Sequence, residues 1–241
     1  MKHNIGLVGC GKWSKVIISE IEHNSHFSLE GIVCKSNKDF ISNSKFKIFK
    51  NYENLLKNKD IDCLYVAKSP KTNFDLVQSL NKKIPIIFEK PIADTFEKAS
   101  FIYNFSLNKK IPLMTNLPNI YSDTFNEVKI FLEKNIRNIS KIEITDGNYG
   151  PFRKNLNPIL DWGIHAFSYI ISIFENEKLY NLSHKFLKKN IEKNSYLSKF
   201  ESQIKNNINI SIVTGNLLKK KKRLCKIFLK NNNILINDFN T

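Results

Sequence analysis

The chain opens with Ile5-Gly6-Leu7-Val8, runs directly into Gly9-Cys10-Gly11-Lys12-Trp13-Ser14, and continues as an amphipathic stretch from Trp13 to His23. A short apolar strand, a Gly-x-Gly turn and a helix, in that order, commit the N-terminus to a parallel sheet with crossover helices. The first glycine permits the tight turn, and the second lets backbone approach a pyrophosphate. The third position packs helix against strand, and here Ser14 stands in place of the usual glycine. Gly9, Gly11, Lys12, Trp13 and Ser14 therefore read as a dinucleotide loop, with an ordinary glycine turn as the plainer alternative.

The rhythm repeats. Strands are expected at Phe27 to Cys34, Ile61 to Ala67, Ile84 to Phe88 and Pro112 to Thr115, with helices near Asn73 to Leu80 and from Thr95 to Leu107. After about residue 116 the pattern changes. A helix from Asp123 to Glu133 precedes an alternating strand from Ile139 to Tyr149, a loop from Gly150 to Pro158 and an apolar helix from Ile159 to Phe174. Four further strands follow: 200–207, 208–214, 224–230 and 234–238. The fold class is α/β: a doubly wound parallel sheet over residues 1–115, then an α+β domain over 116–241 with a largely antiparallel sheet.

Charge and cysteine content narrow the function. There are 38 Lys+Arg against 22 acids, a formal +16. Only three of the 38 are arginine, and the lysines are spread over both halves, so nucleic-acid binding is not expected. Anionic small substrates stay compatible. Cys10, Cys34, Cys63 and Cys225 are far apart with no metal-ligand or redox spacing. They read as buried reduced thiols of a cytoplasmic protein, and no metal is expected. No charge-free run reaches the roughly 20 residues of a membrane span, and the first residues do not fit a cleavable signal.

Three further places carry chemistry. The end of the second strand should select the cofactor ribose, and Cys34-Lys35-Ser36-Asn37-Lys38 offers amine and hydroxyl donors with no acid before Asp39. Lys35 and Ser36 thus favour NADP over NAD. Glu89-Lys90-Pro91 closes the fourth strand, so Lys90 faces the crevice beyond the strand ends, where it can polarise a substrate oxygen or move a proton. Asp161 and His165 stand four apart on a helix, a spacing that puts a carboxylate and a proton carrier on one face. The bland reading of that pair, a helix-start acid and a packed histidine, is equally simple.

The turn at Gly9, the Glu89-Lys90-Pro91 tripeptide and Asp161-Trp162-Gly163-Ile164-His165, in this order and spacing, resemble the glucose–fructose oxidoreductase/inositol dehydrogenase family (Gfo/Idh/MocA). Val66-Ala67-Lys68-Ser69-Pro70 looks like that family's turn near the nicotinamide. Gly150-Pro151-Phe152-Arg153 is similar to members acting on nucleotide-linked sugars, and Thr214 to Arg223 to the family's late strand and basic loop. The resemblance implies hydride transfer between NADP or NAD and a sugar or nucleotide-sugar carbon. His165 would move the proton, with Lys90 as polariser and alternative donor, and Asp161 orienting them. Ser69, Pro70, Glu89 and Lys90 would line the cofactor. Arg153, with Lys90 and His165, would meet the substrate, and Lys222 or Arg223 could meet a phosphate.

Ala166 stands where such relatives often place an acid, and the chain stops at Thr241, where relatives usually continue. The strand edge this leaves is expected to be covered by a second subunit, giving a homo-oligomer through the C-terminal sheet. The alternative is a non-catalytic cofactor- or sugar-binding relative that acts through a partner protein.

Overall fold

The computed structural model describes residues 2–35, 46–58, 60–175, 177–204 and 207–239. The chain divides into two units, Met1–Asn116 and Leu117–Thr241.

In the first unit, strands β1 (His3–Val8), β2 (Phe27–Val33), β3 (Ile48–Phe49), β4 (Cys63–Val66), β5 (Ile86–Glu89) and β6 (Leu113–Asn116) form one sheet. Its order is β3-β2-β1-β4-β5-β6, and every pairing is parallel. The helices are α1 (Lys12–His23), α2 (Tyr52–Leu56), α3 (Pro70–Gln78) and α4 (Phe96–Lys109). Apolar strand residues such as Leu7, Ile32, Leu64, Val66 and Phe88 are buried, as a sheet covered on both faces requires. The chain winds outward from β1 to β3 and then returns to β4 on the other side of β1. That reversal is the topological switch point, beyond whose strand ends ligands bind in open α/β sheets.

In the second unit, α5 (Asp123–Asn135) leads to β7 (Ile139–Tyr149). A π-helical turn (Ile159–Gly163) then runs into α6 (Ile164–Ile173). Strands β8 (Tyr180–Asn190), β9 (Ser195–Ile204), β10 (Ile208–Gly215), β11 (Leu217–Leu229) and β12 (Ile234–Asp238) complete it. The sheet order is β12-β11-β7-β10-β9-β8. β7 and β10 pair in parallel, and the other pairs are antiparallel. Ile142, Ile144, Ile210, Ile212 and Ile227 alternate onto one face, where they pack with Val128 and Leu132 of α5 and Tyr169, Ile170 and Ile173 of α6.

The α/β class and the parallel-then-antiparallel division match expectation. Strand β3 and helix α2 were not expected, β9 begins at Ser195 and not at 200, and three further details differ. The apolar helix expected over 159–174 begins as a π turn. The basic stretch expected as a loop is strand, since Lys219 to Arg223 lie within β11, where the register shifts between Leu217 and Lys222. Strand β8 was not expected, and all its residues except Asn190 are exposed. With neither face covered, it carries no apolar alternation to read.

Candidate active site

Gly9 has φ +129°, and a Cβ there would stand 2.4 Å from the carbonyl oxygen of Ala67. Only glycine fits, because the turn passes so close to the end of β4 that Ala67 N donates to Val8 O at 2.9 Å. At Gly11 a Cβ would meet nothing within 4 Å. Gly11 caps α1, so the first backbone N–H groups of a 12-residue helix follow the turn. A bare turn with open space before a helix N-terminus fits the pyrophosphate of a dinucleotide. Lys12 and Trp13 begin the helix, both exposed, and Ser14 is fully buried. Ser14 Oγ has no hydrogen-bond partner in the structure, so Ser14 serves as the small packing point.

At the selector position, Lys35 follows β2 and is exposed. Ser36 lies outside the described residues. A second cation stands close by. Lys68, after β4, runs past the glycine turn, with its Cγ 3.5 Å from a Cβ built on Gly9. Burial, and then repulsion from Lys35, hold the Lys68 ammonium below the usual lysine range. Two lysines thus share the ground beside the turn, an arrangement an anion would relieve.

The cysteine expectation is corrected here. Cys10 and Cys34 are joined by a disulfide, while Cys63 and Cys225 are free thiols. Cys10 follows the turn glycine after β1, and Cys34 is the residue after β2. Gly9 N donates to Val33 O at 3.1 Å, so the parallel neighbours deliver both cysteines to one level with a Cα separation of 5.4 Å. A separation of 24 residues gives no hint of this; the strand pairing does.

Ser69 caps α3 through its backbone, with no side-chain bond to the helix, and Pro70 takes the first helical position. At the ends of β4, β5 and β6, Tyr65 donates its hydroxyl to Glu89 Oε1. The Asn116 amide donates to Tyr65 Oη at 2.7 Å and to Glu89 Oε1 at 2.9 Å. Burial, reinforced by Glu89, pushes the Tyr65 hydroxyl upward, while donation by Asn116 and Trp13 acts the other way. Tyr65 therefore stays neutral and donating, and fixes the Glu89 carboxylate. Lys90 follows directly, half-buried, and the Lys90–Pro91 peptide is cis.

In the second unit, Asp161 and His165 are both buried. Asp161 sits in the π turn, a feature frequent at functional sites, and meets Arg153 Nε at 3.3 Å. The carboxylate side chain is 8% exposed and the arginine 57%, so the guanidinium reaches solvent from a buried anchor. His165 opens α6. Its Nδ1 lies 3.2 Å from Oδ1 of Asn119, on the 3₁₀ turn Pro118–Tyr121. Sequence reasoning missed Asn119, because a 46-residue separation between an asparagine and a histidine carries no pattern. Arg223 is committed internally. Its Nε is 3.4 Å from the fully buried Asp146, its cross-strand neighbour, and its guanidinium lies over Trp162. Lys222 remains exposed.

The parallel sheet, its switch point and the open glycine turn define the class: a dinucleotide-binding fold of the Rossmann type. Residues 3–116 match the model of an oxidoreductase family, the GFO_IDH_MocA NAD-binding Rossmann fold. The match places the first unit with the NAD-binding Rossmann domains of that family. Among solved structures, a myo-inositol dehydrogenase from Corynebacterium glutamicum is 16% identical with a TM-score of 0.84. It covers 99% of this chain and 75% of its own. Myo-inositol dehydrogenase from Lactobacillus casei, in complex with NAD(H) and myo-inositol, is 16% identical, covers 100% and 76%, and has a TM-score of 0.81. GenD2 from gentamicin A biosynthesis, in complex with NAD, is 11% identical, covers 98% and 72%, and has a TM-score of 0.86. These likenesses establish a shared fold. A comparison with curated protein sequences finds no match. Among the described residues, no helix is long and apolar enough to cross a membrane.

Proposed function

We propose that the protein transfers a hydride between a nicotinamide cofactor and a hydroxyl-bearing carbon of a sugar, cyclic polyol or nucleotide-linked sugar. The observation that carries this reading is the glycine turn, with Gly9 fixed by its φ and Gly11 open to the space before α1. When bound, the nicotinamide accepts or returns the hydride. The chain's task is to hold the cofactor, orient the substrate and move one proton as the hydride moves.

In this reading Gly9, Gly11, Lys12, Trp13 and Ser14 form the pyrophosphate turn, and Ser69, Pro70 and Glu89 border the nicotinamide end. Lys90 polarises the reacting oxygen. His165 takes the hydroxyl proton in oxidation and returns it in reduction, since an imidazole exchanges protons near neutral pH. Asp161 holds Arg153, whose exposed guanidinium suits an anionic or hydroxyl-rich group of the substrate. Lys35 and Lys68 support NADP as the preferred cofactor, because a ribose phosphate would neutralise their mutual repulsion. The second sheet supports self-association, with Ile234 and Ile236 of β12 exposed.

The test is a fluorescence titration with NADPH and NADH, followed by a turnover screen of inositols, hexoses and nucleotide sugars. Saturable binding, tighter for NADPH, and turnover lost in Lys90→Ala and His165→Ala are expected. Absence of binding to both cofactors at sub-millimolar concentration overturns the reading.

A further inference from the structure

We propose that Asn119 is a positioning residue that sets the tautomer and ring orientation of His165. The inference rests on the reading of His165 as proton carrier for its functional meaning, though not for its geometry.

Asn119 makes two contacts with the same residue. Its Nδ2 donates to the backbone carbonyl of His165 at 3.3 Å, and its Oδ1 faces His165 Nδ1 at 3.2 Å. The carbonyl can only accept. It therefore fixes which end of the amide faces it, because a flipped amide would set oxygen against oxygen. With Nδ2 committed to the carbonyl, Oδ1 is the atom at the ring, and it too can only accept. Nδ1 must then carry the proton of the neutral imidazole, which leaves the lone pair on Nε2.

The surroundings hold this arrangement in place. Asn119 and His165 are 7% and 5% exposed, so water offers little competition for either contact. Asn119 sits on a 3₁₀ turn with Pro118 at its start, and its own carbonyl accepts from Ser122 Oγ at 3.1 Å. Ser168 Oγ also donates to the His165 carbonyl, at 3.0 Å. When His165 gains a proton, Nδ1–H persists, and so does its bond to Asn119. The ring keeps one orientation through a protonation cycle. A neutral amide achieves this without the strong bias toward imidazolium that a carboxylate partner brings.

The test is nitrogen NMR of the full chain labelled with ¹⁵N-histidine, with the His165 resonances assigned by their loss in His165→Gln. At a pH where the ring is neutral, Nδ1 should show the shift of a protonated ring nitrogen and Nε2 that of an unprotonated one. In Asn119→Ala the two shifts should move toward each other as the tautomers mix, whereas Asn119→Asp, whose carboxylate also only accepts, should keep the proton on Nδ1 and raise the pH at which the ring loses its charge. A neutral wild-type His165 with its proton on Nε2 overturns the proposal, whether or not either variant folds. An unchanged signature in a folded Asn119→Ala does the same. The reading of His165 as catalytic fails separately, through turnover retained in His165→Ala.

Discussion

A disulfide joins Cys10, between the two glycines of the cofactor turn, to Cys34, the residue that follows the strand beside it. The bridge closes a loop containing all of α1 and β2, and cross-linking lowers the entropy of the unfolded chain. For a separation of 24 residues the chain-entropy model gives about 3 kcal/mol. Dithiothreitol should therefore lower the urea midpoint of the first unit's transition. The Cys10→Ser/Cys34→Ser double variant should unfold at the lower midpoint with or without reductant. Equal midpoints for oxidised and reduced wild type would show that the bridge adds no stability.

The two glycines of the turn should respond differently to the same substitution. In Gly9→Ala the new Cβ meets the Ala67 carbonyl at 2.4 Å on a backbone with φ +129°. Relieving that contact means shifting β1 against β4, so a loss of about 3 kcal/mol is expected. In Gly11→Ala the Cβ enters open space, so stability should hold while NADH or NADPH affinity falls about tenfold, or about 1.4 kcal/mol. Thermal unfolding beside cofactor titration separates the two effects. An affinity loss without destabilisation in Gly9→Ala would contradict the packing argument.

Lys68 gives a pH-dependent prediction. Burial, and then repulsion from Lys35, lower its folded-state pKa below that of an ordinary lysine. The unfolded chain therefore holds this proton more tightly, and the Lys68 contribution to stability rises with pH between the folded-state pKa and the ordinary lysine value. A bound ribose phosphate would reverse the repulsion and raise the pKa again. NADPH binding should then take up protons in the alkaline range below the ordinary lysine pKa, and Lys68→Met should abolish this linkage and narrow any preference for NADPH over NADH. Calorimetric titration in two buffers of different ionisation enthalpy measures the uptake. Equal uptake for NADPH in wild type and Lys68→Met would remove Lys68 from the phosphate site.

What the sequence made legible follows from how local each signal is. The glycine turn is readable because strand, turn and helix are contiguous in sequence, a context that gives meaning to a spacing common on its own. The isoleucines of β7 and β10 announce a sheet with one covered face, since alternation records burial directly. Strand β8 carries no such record, because solvent meets both its faces. The Cys10–Cys34 bridge and the Asn119–His165 pair depend on which segments become neighbours, and no local spacing encodes that. Arg223 is a related case: a basic run carries no sign of the internal partner that strand pairing supplies in Asp146. The Asp161/His165 spacing predicts one shared helix face, while the structure sets Asp161 in a π turn against Arg153 and His165 against Asn119.

The pairing of Arg223 with Asp146 separates a structural cation from the exposed lysines beside it. Asp146 is fully buried on β7 and Arg223 lies opposite it on β11, 3.4 Å away and stacked over Trp162. Removing the guanidinium strands a carboxylate inside the second unit, which typically costs about 3 to 5 kcal/mol. Arg223→Leu should therefore lower the unfolding midpoint strongly. The double variant Arg223→Leu/Asp146→Leu should recover much of the loss, because both charges leave together. Lys222→Ala, one residue away on an exposed part of the same strand, should change stability by less than about 0.5 kcal/mol. Urea unfolding of the four proteins forms the comparison. If Arg223→Leu leaves the midpoint unchanged while weakening nucleotide-sugar binding, Arg223 belongs to the substrate site instead of to the frame beneath it.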